Sequence, residues 1–145
     1  FRTLIEVIQR MGFADRVQVL AEPWKNEQYE NRVKGLESEP EGGKRCEQCF
    51  RLRLLEAGKI AKRYNFDYFC STLTVSRHKN AELINSISEE ISKAAGVSWL
   101  PSDFKKKDGE NRSVELSESL GIYRQVYCGC RYSLVAREAG TDENN

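Results

Sequence analysis

The chain has 145 residues, a formal net charge of +1, 39% hydrophobic and 31% charged side chains, and a mean hydropathy of -0.63. That balance suits one domain with one ordinary core. It offers no apolar run long enough for a transmembrane helix, and it lacks the basic excess of a dedicated nucleic-acid binder.

In chain order, Leu4, Ile8 and Met11 fall on one face of a helix over residues 1–11, and Gly12 stops it. Residues 17–20 form a short apolar run that reads as a buried strand, broken by Pro23 and Trp24. Tyr29, Val33 and Leu36 repeat at helical spacing on a second helix, and residues 37–43 are an acidic loop with Pro and Gly. Cys46 opens a third helix whose core stripe is Phe50, Leu54, Ala57 and Ala61. Residues 67–73 read as a buried strand containing Cys70, taken as a small buried apolar residue.

Residues 71–79 are polar and turn-like, with Ser76 as a capping candidate for a fourth helix carrying Leu83, Ile87 and Ile91 and ending at Gly96. A strand over residues 97–100 ends at Pro101, and a short helix over residues 113–120 ends at Gly121. Residues 141–145 form a polar tail expected to be disordered, leaving 1–140 as one domain. Helices alternating with short apolar strands favour an α/β fold, with a parallel sheet covered by helices on both faces. Ligands of such sheets bind beyond the carboxyl ends of the strands, so the loops after residues 67–73 and 97–100 share the expected functional rim.

Five cysteines carry the chemical signal: Cys46 and Cys49 form CxxC, Cys128 and Cys130 form CxC, and Cys70 stands alone. Two close pairs far apart in sequence suit one four-thiolate site with two chelating arms. Thiolates serve zinc or iron–sulfur clusters, and spacing alone leaves both open alongside redox or unligated thiols. Gly129 lets the backbone bend inside the CxC arm. Lys44 and Arg45 at a helix start favour the thiolate form of Cys46, or simply solvate that helix end. An odd cysteine count without a secretory signal argues for a reducing, cytoplasmic compartment.

Two basic patches, Lys44/Arg45/Arg51/Arg53 and Lys105/Lys106/Lys107, read equally as phosphate contacts or solvated faces. His78, the only histidine, is as readily a solvated loop residue as a substrate contact. Trp24, Tyr123 and Tyr132 are candidates for stacking a nucleobase, although aromatic residues more often pack in cores.

Four motifs then carry a resemblance. EPEGGKRCEQCFRLRL (39–54), STLTVSRHKNAELIN (71–85), DFKKKDG (103–109) and YRQVYCGCRYS (123–133) stand in the order in which they occur in the QueH family, which the chain resembles. The resemblance implies a Rossmann-like, adenine-nucleotide-hydrolase-like sandwich. It also implies cobalamin-independent reduction of epoxyqueuosine to queuosine at the tRNA wobble position. Its cofactors would be a 4Fe–4S cluster and a second, mononuclear iron held by thiolates and an aspartate. The metal ligands map to Cys46, Cys49, Cys128 and Cys130. Asp103 and Tyr127 are the candidate proton donors. Ser71, Thr72, Ser76, Lys79, Arg124 and Gln125 are the candidate substrate contacts.

The implied partners are tRNA bearing epoxyqueuosine and an electron donor of unknown identity, with no membrane. The family's leading strand and Cys-Cys-x-Pro motif do not occur among these residues, so the reading expects the first strand, and with it ligands of the second iron, to be missing. Arg77 stands where the family has Pro. Two other readings compete: a non-enzymatic four-cysteine zinc module binding RNA or protein, and an adenylating tRNA-modifying enzyme, which needs a Gly/Ser-rich phosphate loop.

Overall fold

Residues 44–63 build the longest element because good helix formers surround an apolar stripe. The computed structural model, which describes residues 1–23 and 26–138, has helices α1 (Arg2–Arg10), α2 (Asn26–Val33) and α3 (Lys44–Arg63), strand β1 (Tyr68–Phe69), a single 3-10 turn (Thr72–Val75), α4 (Ala81–Ala95), β2 (Ser98–Trp99), α5 (Gly109–Ser119) and α6 (Arg131–Glu138). The chain divides into two units, Lys25–Glu110 and Phe1–Trp24 with Asn111–Asn145.

The unit Lys25–Glu110 holds the core. β1 and β2 pair in parallel, Tyr68 with Ser98 and Phe69 with Trp99, and α4 makes the crossover. The inward residues Phe69 and Trp99 meet edge to face, with ring centroids 5.1 Å apart. Around them Cys46, Phe50, Leu54 and Ala61 of α3 pack with Ile84, Ile87 and Ile91 of α4. Gly58 allows that approach: a Cβ there would stand 2.9 Å from Ile91 Cγ2. Asn80 caps α4 by accepting the Leu83 amide at 3.0 Å, and Gly96 ends it at φ 70°. The expected cap Ser76 instead accepts the His78 amide at 3.3 Å, tightening the turn before the helix.

The other unit contains α1, α6 and most of α5, and no apolar side chain among its described residues is buried. Arg10 donates to the Leu120 carbonyl at the end of α5. The Leu4–Ile8–Met11 face is helical as its spacing predicts, with Leu4 and Met11 exposed.

Three expectations change. Residues 17–20 form no strand, and Val17 and Leu20 are exposed. A strand needs a partner ladder, and among the described residues none pairs with this run. Cys70 is exposed rather than buried, because strand pairing covers only Tyr68–Phe69 and the chain turns away immediately after. The helix expected at residues 113–120 begins earlier, at Gly109, where a Cβ would strike the Phe104 carbonyl oxygen. Trp24 and the 141–145 tail lie outside the described residues.

Candidate functional site

The CxxC arm spans the first two turns of α3, with Cys46 in the first. Gly43 is the N-cap without a side chain to offer, so other groups serve the open amides. Glu39 Oε2 accepts the Lys44 amide at 2.9 Å, and Cys46 Sγ accepts the Gly42 amide at 3.3 Å. Cys46 is buried in the core cluster, and Cys49, one turn on, is half-buried.

The loop over this arm is fixed by Arg45. Its buried guanidinium donates from Nη1 to the Leu36 and Glu37 carbonyls at 3.4 and 2.9 Å, and to the Glu39 carbonyl. Arg51 pairs with Glu47 and Glu90 at 3.1 and 2.8 Å, and its pKa is raised chiefly by the Glu90 hydrogen bond, then by Glu47. Two cations of the first basic patch are thus engaged within the fold.

The two loops beyond the strands are stitched together. Thr74, fully buried, has its Oγ1 3.3 Å from Ser102 Oγ and accepts the Phe104 amide at 3.3 Å. Asn85 Oδ1 accepts the Trp99 indole and the Ser102 amide at 2.9 and 3.1 Å, and its Nδ2 donates to the Ser102 carbonyl at 3.0 Å. This frame holds Asp103, whose Oδ1 is 2.8 Å from Lys105 Nζ and whose Oδ2 is 3.9 Å from Lys106 Nζ. The Lys105 hydrogen bond, against a smaller opposing effect of burial, holds the Asp103 carboxyl below the usual carboxylate range. A carboxylate so held accepts a proton less readily and stays anionic near neutrality.

Asp103 and Cys46 are linked through a chain of hydrogen bonds and one ion pair. Lys105 Nζ also donates to the Lys79 carbonyl at 3.5 Å, Lys79 Nζ meets Glu41 Oε1 at 2.5 Å, and the neighbouring Gly42 serves Cys46. Of the other loop candidates, Ser71 caps the 3-10 turn by accepting the Leu73 amide at 3.2 Å. Thr72 and His78 are exposed, while Ser76 is half-buried. Thr74, Asn85, Ser102 and Glu41 escaped the sequence reading as site-building residues, and Arg45 was read as a cation beside Cys46 rather than as the clamp of the preceding loop. Thr74 and Asn85 lie inside the 71–85 motif, which was the available signal.

The CxC arm lies in the other unit. Gly129 adopts φ 87°, which disfavours any other residue, and a Cβ there would stand 3.1 Å from Gln125 Nε2. Gln125 Nε2 donates to the Tyr127 carbonyl at 2.7 Å. Ser133 Oγ accepts the Cys128 amide at 3.0 Å, and Cys130 Sγ accepts the Ser133 amide at 3.4 Å, as a cap does at the start of α6. Arg124 and Tyr123 are exposed, while Tyr127 and Tyr132 are half-buried.

Both arms fit a thiolate-held metal group by donor chemistry: each presents two sulfurs at a helix start, and in each a backbone N–H points at sulfur. Among the described residues, no group of three His, Cys, Asp or Glu side chains is assembled as a metal site. The four cysteines fall two in each unit.

Comparison with known proteins decides the family. The family model described as epoxyqueuosine reductase QueH matches residues 2–136. The chain belongs to the QueH family. It is 47% identical over 126 residues to the epoxyqueuosine reductase QueH of Streptococcus pyogenes serotype M1, covering 87% of this chain and 49% of that protein. The QueH of Staphylococcus aureus strain Mu50 is 41% identical over 128 residues, covering 87% and 52%. That of Thermotoga maritima is 38% identical over 105 residues, covering 72% and 55%. The chain spans about half the length of these curated relatives. All four motifs quoted from the sequence lie within the matched region.

Proposed function

We propose that this chain works as an epoxyqueuosine reductase on tRNA, with Cys46, Cys49, Cys128 and Cys130 as the thiolates of one 4Fe–4S cluster. The observation that carries the reading is the pair of cysteine arms, each at a helix start with an amide aimed at sulfur, in a member of the QueH family. Family membership favours this over the zinc module and over the adenylating enzyme. A second, mononuclear iron would draw ligands from a Cys-Cys-x-Pro segment not among these 145 residues. The parallel β1–α4–β2 unit supports a Rossmann-like assignment. Thiolates that must stay reduced suit a cytoplasmic site of action, and a reaction without cobalamin is what the resemblance to the family implies.

Reducing the epoxide to an alkene takes two electrons and two protons and releases the oxygen as water. When bound, the cluster supplies electrons singly from an external donor. This chain's residues supply the rest. Asp103, held anionic by Lys105, orients or accepts hydrogen bonds at the rim, which leaves Tyr127 as the better proton donor of the two. Ser71, Thr72 and Ser76 on one loop, and Arg124 and Gln125 before the CxC, would contact the nucleotide.

The test is anaerobic reconstitution with iron and sulfide, followed by incubation with epoxyqueuosine-bearing tRNA and a low-potential reductant. Nucleoside mass spectrometry should show queuosine. A fully loaded protein that makes none would overturn the assignment of activity to this chain, and a colourless zinc protein would favour the binding module.

A further inference from the structure

We propose that Lys79 is a positioning residue for the Cys46 sulfur, acting through Glu41 and the Gly42 amide; this rests on the reading of Cys46 as a metal ligand. Lys79 stands in the polar loop before α4, where an exposed cation would suit a phosphate. Its side chain is instead only 7% exposed, and its Nζ lies 2.5 Å from Glu41 Oε1, whose own side chain is 41% exposed. A buried ammonium is stable only when paired, so its carboxylate partner is fixed in place.

That partner immediately precedes Gly42. Gly42 adopts φ 84°, a conformation glycine holds at no steric cost, in a turn closed by the Gly43 amide donating to the Pro40 carbonyl at 3.1 Å. Gly42 donates its amide to Cys46 Sγ at 3.3 Å. Arg45 fixes the earlier part of the same loop through the Leu36, Glu37 and Glu39 carbonyls. The Pro40–Gly43 turn lies beyond that grip, and the ion pair to Lys79 ties its second residue, Glu41, to the loop before α4. Lys79 is held in turn by Lys105, which reaches its carbonyl at 3.5 Å and Asp103 at 2.8 Å. The loop bearing Asp103 and the amide serving Cys46 therefore share one anchor.

An amide aimed at a ligand sulfur stabilises negative charge there and raises the reduction potential of a bound cluster. Lys79 thus tunes the proposed cofactor from a residue 33 positions away in sequence.

The experiment uses the whole chain as wild type, Lys79→Met, Lys79→Arg and Glu41→Gln. In the metal-free protein, the Gly42 amide of Lys79→Met should exchange with deuterium about tenfold faster or more, as loss of one charge-assisted tie predicts. Amides of Ile84 and Ile87 in α4 should stay protected, showing an intact fold. Lys79→Arg should restore slow exchange, and Glu41→Gln should fall between. In protein reconstituted with iron and sulfide, Lys79→Met should lower the midpoint potential and Lys79→Arg should not. Unchanged Gly42 exchange in both Lys79→Met and Glu41→Gln would overturn the proposal. Faster exchange with an unchanged potential would also overturn it, by reducing Lys79 to a structural tie. If the wild type takes up no iron, the cluster reading fails, and the exchange arm still decides whether Lys79 positions Gly42.

Discussion

Cys46 and Cys130 each accept a backbone amide near the start of a helix, but the helices differ in what supports them. α3 runs 20 residues and buries Cys46, Phe50, Leu54 and Ala61 in the core, and a buried arginine clamps the loop above it. α6 runs eight residues, and the CxC before it has a left-handed glycine, a Gln125 side chain that donates to the Tyr127 carbonyl, and Ser133, which accepts the Cys128 amide and donates its own to Cys130 Sγ. The first arm is built into a core before any ligand arrives. The second lies in a unit where no described apolar side chain is buried, and its local hydrogen bonds are worth about 1 kcal/mol each. Where metal binding and ordering are coupled, ligand energy goes mainly into the arm that has no buried core beneath it.

Variants can break this contrast. Phe50→Ala removes a ring beneath the CxxC arm and should cost about 3–5 kcal/mol, read as a lower urea midpoint. Loss of the amide protection of α3 and α4 together is the expected signature. A midpoint unchanged by Phe50→Ala would show that this arm does not rest on the core. Gly129→Ala imposes a left-handed conformation on a residue with a Cβ and should cost about 1–2 kcal/mol. That cost should register locally, as faster exchange over residues 128–133, with the α3–α4 amides unmoved. Spread of the effect into α3 would contradict separate support of the two arms. Ser133→Ala removes the acceptor of the Cys128 amide and should cost about 1 kcal/mol, seen as faster exchange at Cys128 alone.

The smallest expected effect is at Asp103. Its folded pKa is depressed, so its contribution is complete above the unfolded value near 3.8 and is lost as pH falls through the folded value. Asp103→Asn should flatten the acid limb of a stability-versus-pH curve and leave neutral stability slightly reduced. An unchanged acid limb would mean the Lys105 pair contributes nothing.

Much of the fold was legible because periodicity reports burial. The Phe50–Leu54–Ala61 stripe, the Ile87–Ile91 face and the Gly96 stop are all found where the pattern places them. The residues 17–20 misled because a short apolar run signals a strand only where a partner exists, and pairing is not written in one segment. Cys70 misled because strand length, not composition, decided its exposure. The cysteine arms were legible as spacing. The polar frame of Thr74, Asn85 and Ser102 was not, because its members lie up to 28 residues apart and meet only through the β1–β2 pairing. Lys79 was legible as a charged loop residue, but its inward turn depends on Glu41, 38 residues earlier.

The most direct test of the account is metal analysis of the chain after anaerobic reconstitution, run beside the single variants Cys46→Ser, Cys49→Ser, Cys128→Ser and Cys130→Ser. The account predicts iron and sulfide in equal amounts with visible charge-transfer absorption, and a large loss of both in every one of the four variants. Iron uptake that survives substitution of Cys128 and Cys130 would contradict it, since the two arms would then not share one cluster.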